Sequence, residues 1–232
     1  MKILKSLKNR SCEVIHEFFL LPKIIYFNFR LLPFSQAIKL PLYINYGVKI
    51  KNVYRGVIDI RCNKLEKYMI SFGRGGSEGV AKTSSGIISF QKSTKVIFKG
   101  TAYFHEGVRL FLNGNAVAEF GDKFSANKNF TLFYDDKISF GNECMLGWNI
   151  EIIDGNGHEV ITNGIKQEKN CKIDIGNHVW IGANTKICRT VNVEDNCIVA
   201  YGSTITGGKF SSNTLLGGYP AKIIRENINW EK

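Results

Sequence analysis

A strict period of six residues in the last third of the chain constrains the fold more than any other feature of the sequence. Between residues 175 and 205, every sixth residue is aliphatic: Ile175, Ile181, Ile187, Val193, Val199 and Ile205. An α-helix repeats its faces every 3.6 residues and a strand every 2, so neither element continues through such a pattern. A short strand followed by a turn does repeat in this way, and three such units close one triangular coil. The sequence therefore predicts an all-β parallel β-helix whose stacked coils bury columns of aliphatic side chains.

The same pattern continues upstream with larger side chains and less regular spacing. Two further frames, offset by two residues near 134–137, consist of Phe120, Ala126 and Leu132 and of Phe140, Leu146 and Ile152. Residues 96–98 and 108–112 also have the composition of strands. We therefore expect a wider first part of the solenoid, with Phe and Tyr in its interior. Chance alternation in an ordinary all-β domain is the alternative, and six consecutive aliphatic positions argue against it.

The period is interrupted between residues 154 and 172, where the sequence reads DGNGHEVITNGIKQEKNCK. Long excursions from a compact solenoid are uncommon and often functional, and this one carries His158 between a glycine and an acid. We expect three parts in the chain. They are an N-terminal cap over 1–70, the β-helix over 71–220 with the loop 154–172, and a C-terminal tail over 221–232.

The cap region lacks the repeat and is predicted to be partly helical. Apolar residues between Leu4 and Phe19 have a partly helical spacing that ends at Pro22. A second short helix is expected over 23–32. The aromatic residues of this region suit a cap on the open first coil, which a solenoid needs for solubility.

Basic charge is concentrated in the same region. Residues 1–60 carry ten Lys or Arg against three acids, which accounts for +7 of the total charge of +11. Basic residues beside aromatic ones leave a second interpretation open for residues 1–35, namely peripheral contact with a membrane surface. Nucleic-acid binding has little support, because the sequence shows no recognition helix or stacking motif and its basic residues are scattered.

The compartment is predicted from three further features. The most apolar stretch, residues 18–34, is broken by prolines and charges and falls short of the roughly 20 apolar residues of a spanning helix. No signal peptide is evident at the start of the sequence. The six cysteines include no CxxC pair, which favours reduced thiols. We expect a cytoplasmic protein, with association at the inner face of the membrane as an open alternative.

Three segments carry a family resemblance: DIGNHVWIGA at 174–183, Gly202–Ser203, and GGYPAKII at 217–224. Together they resemble the C-terminal signature of hexapeptide-repeat acyltransferases. The branch is the one that contains maltose and galactoside, nodulation-factor, xenobiotic and capsule or colanic acid acetyltransferases. The resemblance extends over roughly residues 96–225. Residues 32–41 are also similar to the N-terminal region of members associated with surface-polysaccharide synthesis.

The resemblance implies properties that periodicity alone does not give. The family fold is a left-handed parallel β-helix, and its members are homotrimers with active sites between neighbouring subunits. Acetyl-CoA is the implied acyl donor, a carbohydrate is the implied acceptor, and no metal is required. His105, His158 and His178 lack the closely spaced pair of the β-helical carbonic anhydrases, so metal catalysis is not expected.

His158 matches the catalytic histidine of the family and is predicted to be the general base. A neutral imidazole has an unperturbed pKa near ~6.5 and can accept a hydroxyl proton at neutral pH. Asp154 or Glu159 can orient its other ring nitrogen, and a main-chain carbonyl can do so equally well.

Two residues match acceptor-binding positions of the family. Asn127 matches an asparagine that binds the acceptor hydroxyl, and its alternative role is to supply a left-handed corner of the backbone. Trp180 matches a tryptophan near the acceptor and the pantetheine arm, and it is expected to point outward.

The implied coenzyme contacts lie further along the chain. Ala183 matches the position whose backbone N–H contacts the thioester oxygen. Further positions that match coenzyme contacts are Tyr201, Gly202 and Thr206. Tyr201 is larger than the small residue usual at that position in the family. Lys222 and Arg225 can meet coenzyme phosphates or can form an ordinary solvated tail.

The sequence as a whole predicts an acetyl-CoA-dependent O-acetyltransferase. It would act on a sugar hydroxyl by direct transfer, in the synthesis of a capsule, O-antigen or exopolysaccharide. N-acetylation of an amino sugar and acetylation of a xenobiotic are alternatives on the same scaffold. A non-catalytic solenoid that serves as an assembly module is the alternative from a different class.

Overall fold

The computed structural model describes residues 2–52, 54–77, 85–153, 158, 161–166 and 171–231, with side chains described from residue 17 onward. Two helices, α1 (Lys2–Leu31) and α2 (Phe34–Ala37), precede the strands. Three long sheets then run the length of the described chain.

Successive strands visit the three sheets in turn. Sheet 1 contains β1 (Leu42–Ile44), β4 (Ile70–Phe72), β7 (Ala102–Phe104), β10 (Phe124–Ala126), β13 (Met145–Leu146), β18 (Trp180–Ile181), β21 (Ile198–Val199), β24 (Leu215–Gly218) and β25 (Ala221–Arg225). Sheet 2 contains β2 (Val48–Asn52), β5 (Gly86–Phe90), β8 (Arg109–Leu112), β11 (Thr131–Tyr134), β14 (Glu151–Ile153), β19 (Lys186–Cys188) and β22 (Thr204–Ile205). Sheet 3 contains β3 (Ile58–Ile60), β6 (Lys95–Phe98), β9 (Val117–Phe120), β12 (Lys137–Phe140), β17 (Ile173–Ile175), β20 (Val191–Val193) and β23 (Gly208–Phe210).

One strand from each sheet makes one coil, and the described residues form seven coils. Within the three sheets, neighbouring strands are parallel except for the final pair, β24 and β25. The predicted all-β parallel β-helix is therefore confirmed. We call the corner between sheets 1 and 2 the first edge, that between sheets 2 and 3 the second edge, and that between sheets 3 and 1 the third edge.

The repeated aliphatic residues form the interior of the late coils. All six predicted positions are buried, with exposed fractions of 3% or less. Successive coils place them in register, so that Ile187 lies between Ile152 and Ile205. Each side chain thus fills the coil at the same position as the one below it, which explains the strict period.

Aromatic residues fill the early coils, as the sequence predicts. The rings of Phe98, Phe120 and Phe140 stack along sheet 3 with centroids 5.4 and 5.5 Å apart. Phe104 meets Phe120 edge to face at 5.1 Å, and Phe124 packs against the same ring at 4.9 Å. All five side chains are buried, so offset and edge-to-face contacts hold the wide coils together.

The first helix differs from the sequence prediction. α1 is one helix of 30 residues that continues through Pro22, whereas the sequence predicts an end at that residue. Tertiary contacts just after Pro22 account for the difference. Lys23 donates from Nζ to the carbonyls of Asn45 and Val48, both at 2.7 Å. Burial lowers the pKa of the Lys23 ammonium. These bonds hold the helix in place where proline removes a backbone donor.

The solenoid also begins earlier than predicted. Strands β1, β2 and β3, at residues 42–60, pair in parallel with β4, β5 and β6, although the sequence assigns 1–70 to the cap. Asn28 joins α1 to this first coil, because its side chain bonds the backbone N–H and carbonyl of Leu42 at 3.0 and 2.8 Å. Irregular connections within the coil hide the period from sequence analysis.

The C-terminal segment is more ordered than a tail. Its first five residues form β25, which pairs antiparallel with β24. Trp230 then stacks on His178 with ring centroids 4.1 Å apart, and its Nε1 donates to the His178 carbonyl at 2.9 Å. His178 is therefore packed at the third edge rather than fully solvated. No helix among the described residues is long and apolar enough to cross a bilayer.

Phe120→Ala should lower the free energy of unfolding by about 3–5 kcal/mol, because it removes the ring that contacts four other aromatic side chains. Urea denaturation measures the change. Phe133→Ala is the matched control, since that ring is 46% exposed on the outer face and should cost far less. Equal losses in the two variants would contradict the assigned core.

Candidate functional site

The loop that carries His158 leaves the solenoid at the second edge. The chain departs from sheet 2 after Ile153 and returns to sheet 3 at Ile173. Within it, β15 (Ile161–Thr162) and β16 (Ile165–Lys166) form a short antiparallel hairpin whose residues are exposed. His158 is also exposed. Asp154 and Glu159, the candidate orienting residues, lie outside the described residues.

Hydrogen bonds from the fourth coil hold the returning end of this loop. Tyr134 donates its hydroxyl to the Cys171 carbonyl, and the Cys171 N–H donates to Asp136 Oδ2 at 2.9 Å. Next to it, Lys172 pairs with Asp174 at 2.6 Å. Burial acts to raise the pKa of Asp174, but hydrogen bonds from Lys172 and Ser139 outweigh it and the pKa is lowered. The loop therefore starts and ends on a fixed part of the solenoid.

A cysteine borders the departure point of the loop. Cys188 lies directly beside Ile153 in the register of β14 and β19. Burial raises the pKa of its thiol, and the charge of Arg189 only partly opposes the effect. A protonated thiol is a weak nucleophile, so the surroundings of Cys188 do not favour a covalent acyl-enzyme route.

A ladder of asparagine side chains runs along the first edge. Asn129, Asn149 and Asn184 occupy equivalent corners of three coils with left-handed φ values of 64°, 56° and 58°. Their amides bond from coil to coil, both contacts at 2.9 Å, and Asn184 donates to the hydroxyl of Tyr201. Tyr201, which departs from the small residue of the family, thus completes this ladder.

Three predicted coenzyme-binding positions share the first edge. Ala183 lies on the sixth coil, and Tyr201 and Gly202 lie above it on the seventh, where the Gly202 N–H donates to the Ala183 carbonyl at 2.9 Å. Lys222 is exposed and pairs with Gly217 of β24, where an added Cβ atom would lie 3.5 Å from the Ala200 Cβ. The structure therefore places three of the candidates on one edge and Lys222 on the last pair of strands of sheet 1.

The backbone N–H of Ala183 differs from those of its neighbours in its hydrogen bonding. Gly182 and Asn184 donate to carbonyls of adjacent coils at 2.8 and 2.9 Å, whereas none of the described residues accepts a hydrogen bond from Ala183. Gly147 packs directly below, and a Cβ atom there would come within 2.6 Å of the Ala183 nitrogen. This donor can serve a bound oxygen, as the resemblance implies.

Asn127 also lies on the first edge, but its amide is already engaged. Its Nδ2 donates to Ser77 Oγ at 2.7 Å, and its Oδ1 accepts from the N–H groups of Ser77 and Lys128 at 3.0 and 2.8 Å. The left-handed residue of this corner is Asn129. The alternative reading of Asn127 as the left-handed residue is therefore wrong.

Trp180 points outward, as predicted, on the face of sheet 1. It is 38% exposed and lies in register between Met145 and Ile198. Its ring centroid is 6.0 Å from that of Trp230. The C-terminal segment thus borders one side of the Trp180 ring, a contact that the sequence did not predict.

Other candidates lie on different edges. Thr206 follows β22 at the second edge, and Arg225 pairs with Leu215 at the end of β25 near the third edge. A single chain therefore carries its histidine loop on one edge and the Ala183 donor on another. The described part of the chain contains no cluster of His, Cys, Asp or Glu able to hold a metal ion.

Sequence reasoning missed a second excursion, which leaves sheet 1 at Gly73 and returns at Gly86. Its described part extends along the first edge from the second coil to the fourth, where Ser77 bonds to Asn127. His105, on the coil between them, contacts the Arg74 carbonyl through Nδ1 at 2.7 Å. The glycine-rich run GRGGSEG at 73–79 is the signal that could have revealed it.

Comparison with known protein families gives a match for the regular coils. Residues 170–207 match the family described as bacterial transferase hexapeptide (six repeats). The resemblance predicted from the sequence is confirmed, and the family match covers these regular coils.

Individual proteins align with parts of the chain. Galactoside O-acetyltransferase of Escherichia coli (strain K12) is 36% identical over 69 residues, which is 30% of this chain and 32% of that protein. Polysialic acid O-acetyltransferase of Neisseria meningitidis is 34% identical over 92 residues, or 39% and 43% of the two chains. The chain thus spans about a third to two fifths of the length of these curated relatives. Among solved structures, the polySia specific acetyltransferase NeuO superposes with a TM-score of 0.47 at 18% identity, covering 82% of this chain and 89% of that one.

Asn149→Ala should destabilise the solenoid by about 1–3 kcal/mol, because it breaks two ladder bonds and because alanine tolerates a left-handed φ less well than asparagine does. Asn149→Gly should cost less, since glycine adopts this φ freely and loses only the two bonds. Urea denaturation of both variants separates the contributions. If neither variant differed from the wild type, the ladder would not stabilise this edge.

Proposed function

We propose that this protein is an acetyl-CoA-dependent O-acetyltransferase that acts on a sugar hydroxyl in the synthesis of a surface polysaccharide. The observation that carries the proposal is the family match of the regular coils together with the loop that interrupts them and exposes His158. The aligned segments of a galactoside and a polysialic acid O-acetyltransferase support a carbohydrate acceptor.

In the proposed reaction, His158 accepts the proton of the acceptor hydroxyl as its oxygen attacks the thioester carbonyl. Collapse of the tetrahedral intermediate breaks the carbon–sulfur bond, and the protonated imidazole returns the proton to the departing thiolate of coenzyme A. The products are the sugar ester and free coenzyme A. Such base catalysis contributes roughly 10²–10⁴-fold to the rate.

The first edge supplies the donor-binding groups in this proposal. The Ala183 N–H donates a hydrogen bond to none of the described residues. In the proposed reaction it stabilises the oxyanion that develops on the thioester. The pantetheine arm follows the edge past Tyr201 and Gly202 and the outward ring of Trp180. Thr206 is assigned a further coenzyme contact, and Lys222 and Arg225 meet the phosphates.

A homotrimer completes the site in this proposal. His158 belongs to a loop on the second edge, and the Ala183 donor lies on the first edge, so the two meet when one chain's second edge faces another chain's first edge. Thr206 also lies on the second edge, so its contact with coenzyme A comes from the subunit that supplies His158, not from the subunit that supplies Ala183. Because acetyl-CoA is an intracellular donor, we place the reaction in the cytoplasm.

Acceptor binding is assigned to Asn127 and Trp180. Ser77 holds the Asn127 amide in a fixed orientation through two hydrogen bonds, at 2.7 and 3.0 Å. An acceptor hydroxyl that reaches Asn127 must therefore share or replace these bonds. Asp154 and Glu159 remain the proposed partners of the second imidazole nitrogen.

His158→Ala should lower kcat by about 10²–10⁴-fold while leaving the affinity for coenzyme A nearly unchanged, because the base acts in the chemical step. Turnover is measured with acetyl-CoA and a panel of sugars, and affinity by calorimetry. Lys166→Ala, in the exposed hairpin of the same loop, is the control and should retain activity.

Wild-type turnover in the His158→Ala variant would refute the assignment of the base. A preference for amino sugars or for antibiotics over sugar hydroxyls would instead select one of the alternative acceptors. If the wild-type protein did not bind coenzyme A, acyl transfer would be excluded and the solenoid would be an assembly module.

A further inference from the structure

Helix α1 is apolar on two opposite faces in its described half. Leu20, Ile24 and Leu31 lie on one face and are buried, with exposed fractions of 4% or less. Leu20 and Ile24 pack against Tyr43 of the first coil, and Leu31 joins the interior of the solenoid. At 100° per residue, the opposite face is formed by a second set of apolar residues. A helix with one buried face normally presents polar residues on the other.

The outward apolar residues form a continuous patch, which we call the aromatic face. It begins on α1 and continues on α2 and the turn after it, where Phe34 touches Phe29 with ring centroids 5.8 Å apart. Its members, with exposed fractions from 39% to 72%, are Phe18, Phe19, Ile25, Tyr26, Phe29, Phe34 and Ile38. Exposed apolar patches of this kind mark sites of protein or membrane contact.

Positive charge accompanies the aromatic face. Arg30 and Lys39 are exposed among its residues. The first ten residues of the chain add four basic side chains and no acid, and α1 as a whole carries six basic and two acidic residues. One of those acids, Glu17, lies 3.7 Å from Arg74 and is thereby partly neutralised.

We propose that the aromatic face docks on an anionic phospholipid surface, with α1 lying in the plane of the interface. Exposed Phe and Tyr on a basic helix are the chemistry of interfacial anchoring. Each Lys or Arg near an anionic leaflet adds about 1 kcal/mol of attraction. A second copy of this chain fits the face less well, because pairing two copies of α1 brings like charge together. This inference does not depend on the proposed acyl transfer.

The test measures binding of the full-length protein to two kinds of vesicle by flotation: phosphatidylcholine alone, and phosphatidylcholine mixed with phosphatidylglycerol. The wild type should bind the anionic vesicles and lose most of that binding in concentrated salt. The double variant Phe18→Ser/Phe29→Ser should bind them at least tenfold more weakly, because two exposed rings no longer enter the interface. Phe133→Ser, an exposed ring on the outer face of sheet 2, is the matched control and should bind as the wild type does.

Point variants are preferable to deletion of α1, because the buried face of the helix covers the first coil. The substituted residues are exposed, so an unchanged thermal melt should accompany the lost binding. Three results would overturn the proposal: no wild-type binding to either vesicle, equal binding to both vesicles, or undiminished binding of the double variant. An oligomer that the same double substitution disperses without vesicles would also overturn it, by assigning the face to a second copy.

Discussion

Register between successive coils is the constraint on which the rest of this structure depends. Each strand bonds to the strands of the coils above and below, about 4.8 Å away, so every inward side chain lies on its equivalent in the next coil. The column through Ile152, Ile187 and Ile205 and the ring stack through Phe98, Phe120 and Phe140 are two examples. A stack of this kind has unsatisfied strands only at its ends. The two ends are covered differently, by α1 at the first coil and by β25 at the last.

The same constraint confines variation to the edges. Residues within strands are committed to a column or to a flat outer face, whereas a corner tolerates a longer connection as long as the next strand returns in register. Both excursions leave at corners, one at the second edge after Ile153 and one at the first edge after Phe72. Left-handed asparagines at three other corners of the first edge bond to one another. Chemistry on this fold is therefore expected along edges, where backbone groups such as the Ala183 N–H have no acceptor among the described residues.

The late coils could be predicted from the sequence because only an aliphatic side chain fits their narrow interior, and the period of six follows directly. The first coil could not, although its interior residues are also aliphatic, because irregular connections between its strands hide the period. Local sequence predicts a helix end at Pro22, whereas contacts from Lys23 to the first coil keep the helix continuous. Candidate residues could be located at corners but not assigned to an edge. Ala183 and Tyr201 are one regular coil of 18 residues apart and share an edge. Elsewhere the longer early coils and the 154–172 loop change the number of residues per coil, so the spacing does not predict which edge a residue occupies.

The proposed catalytic loop and the proposed lipid anchor lie on different coils of the solenoid. The His158 loop leaves the fifth coil, and α1 packs on the first, so four spacings of about 4.8 Å, or roughly 19 Å, separate them along the solenoid. Substitutions in α1 and in the loop therefore act on different levels of the solenoid, and each proposal can be tested without disturbing the site of the other.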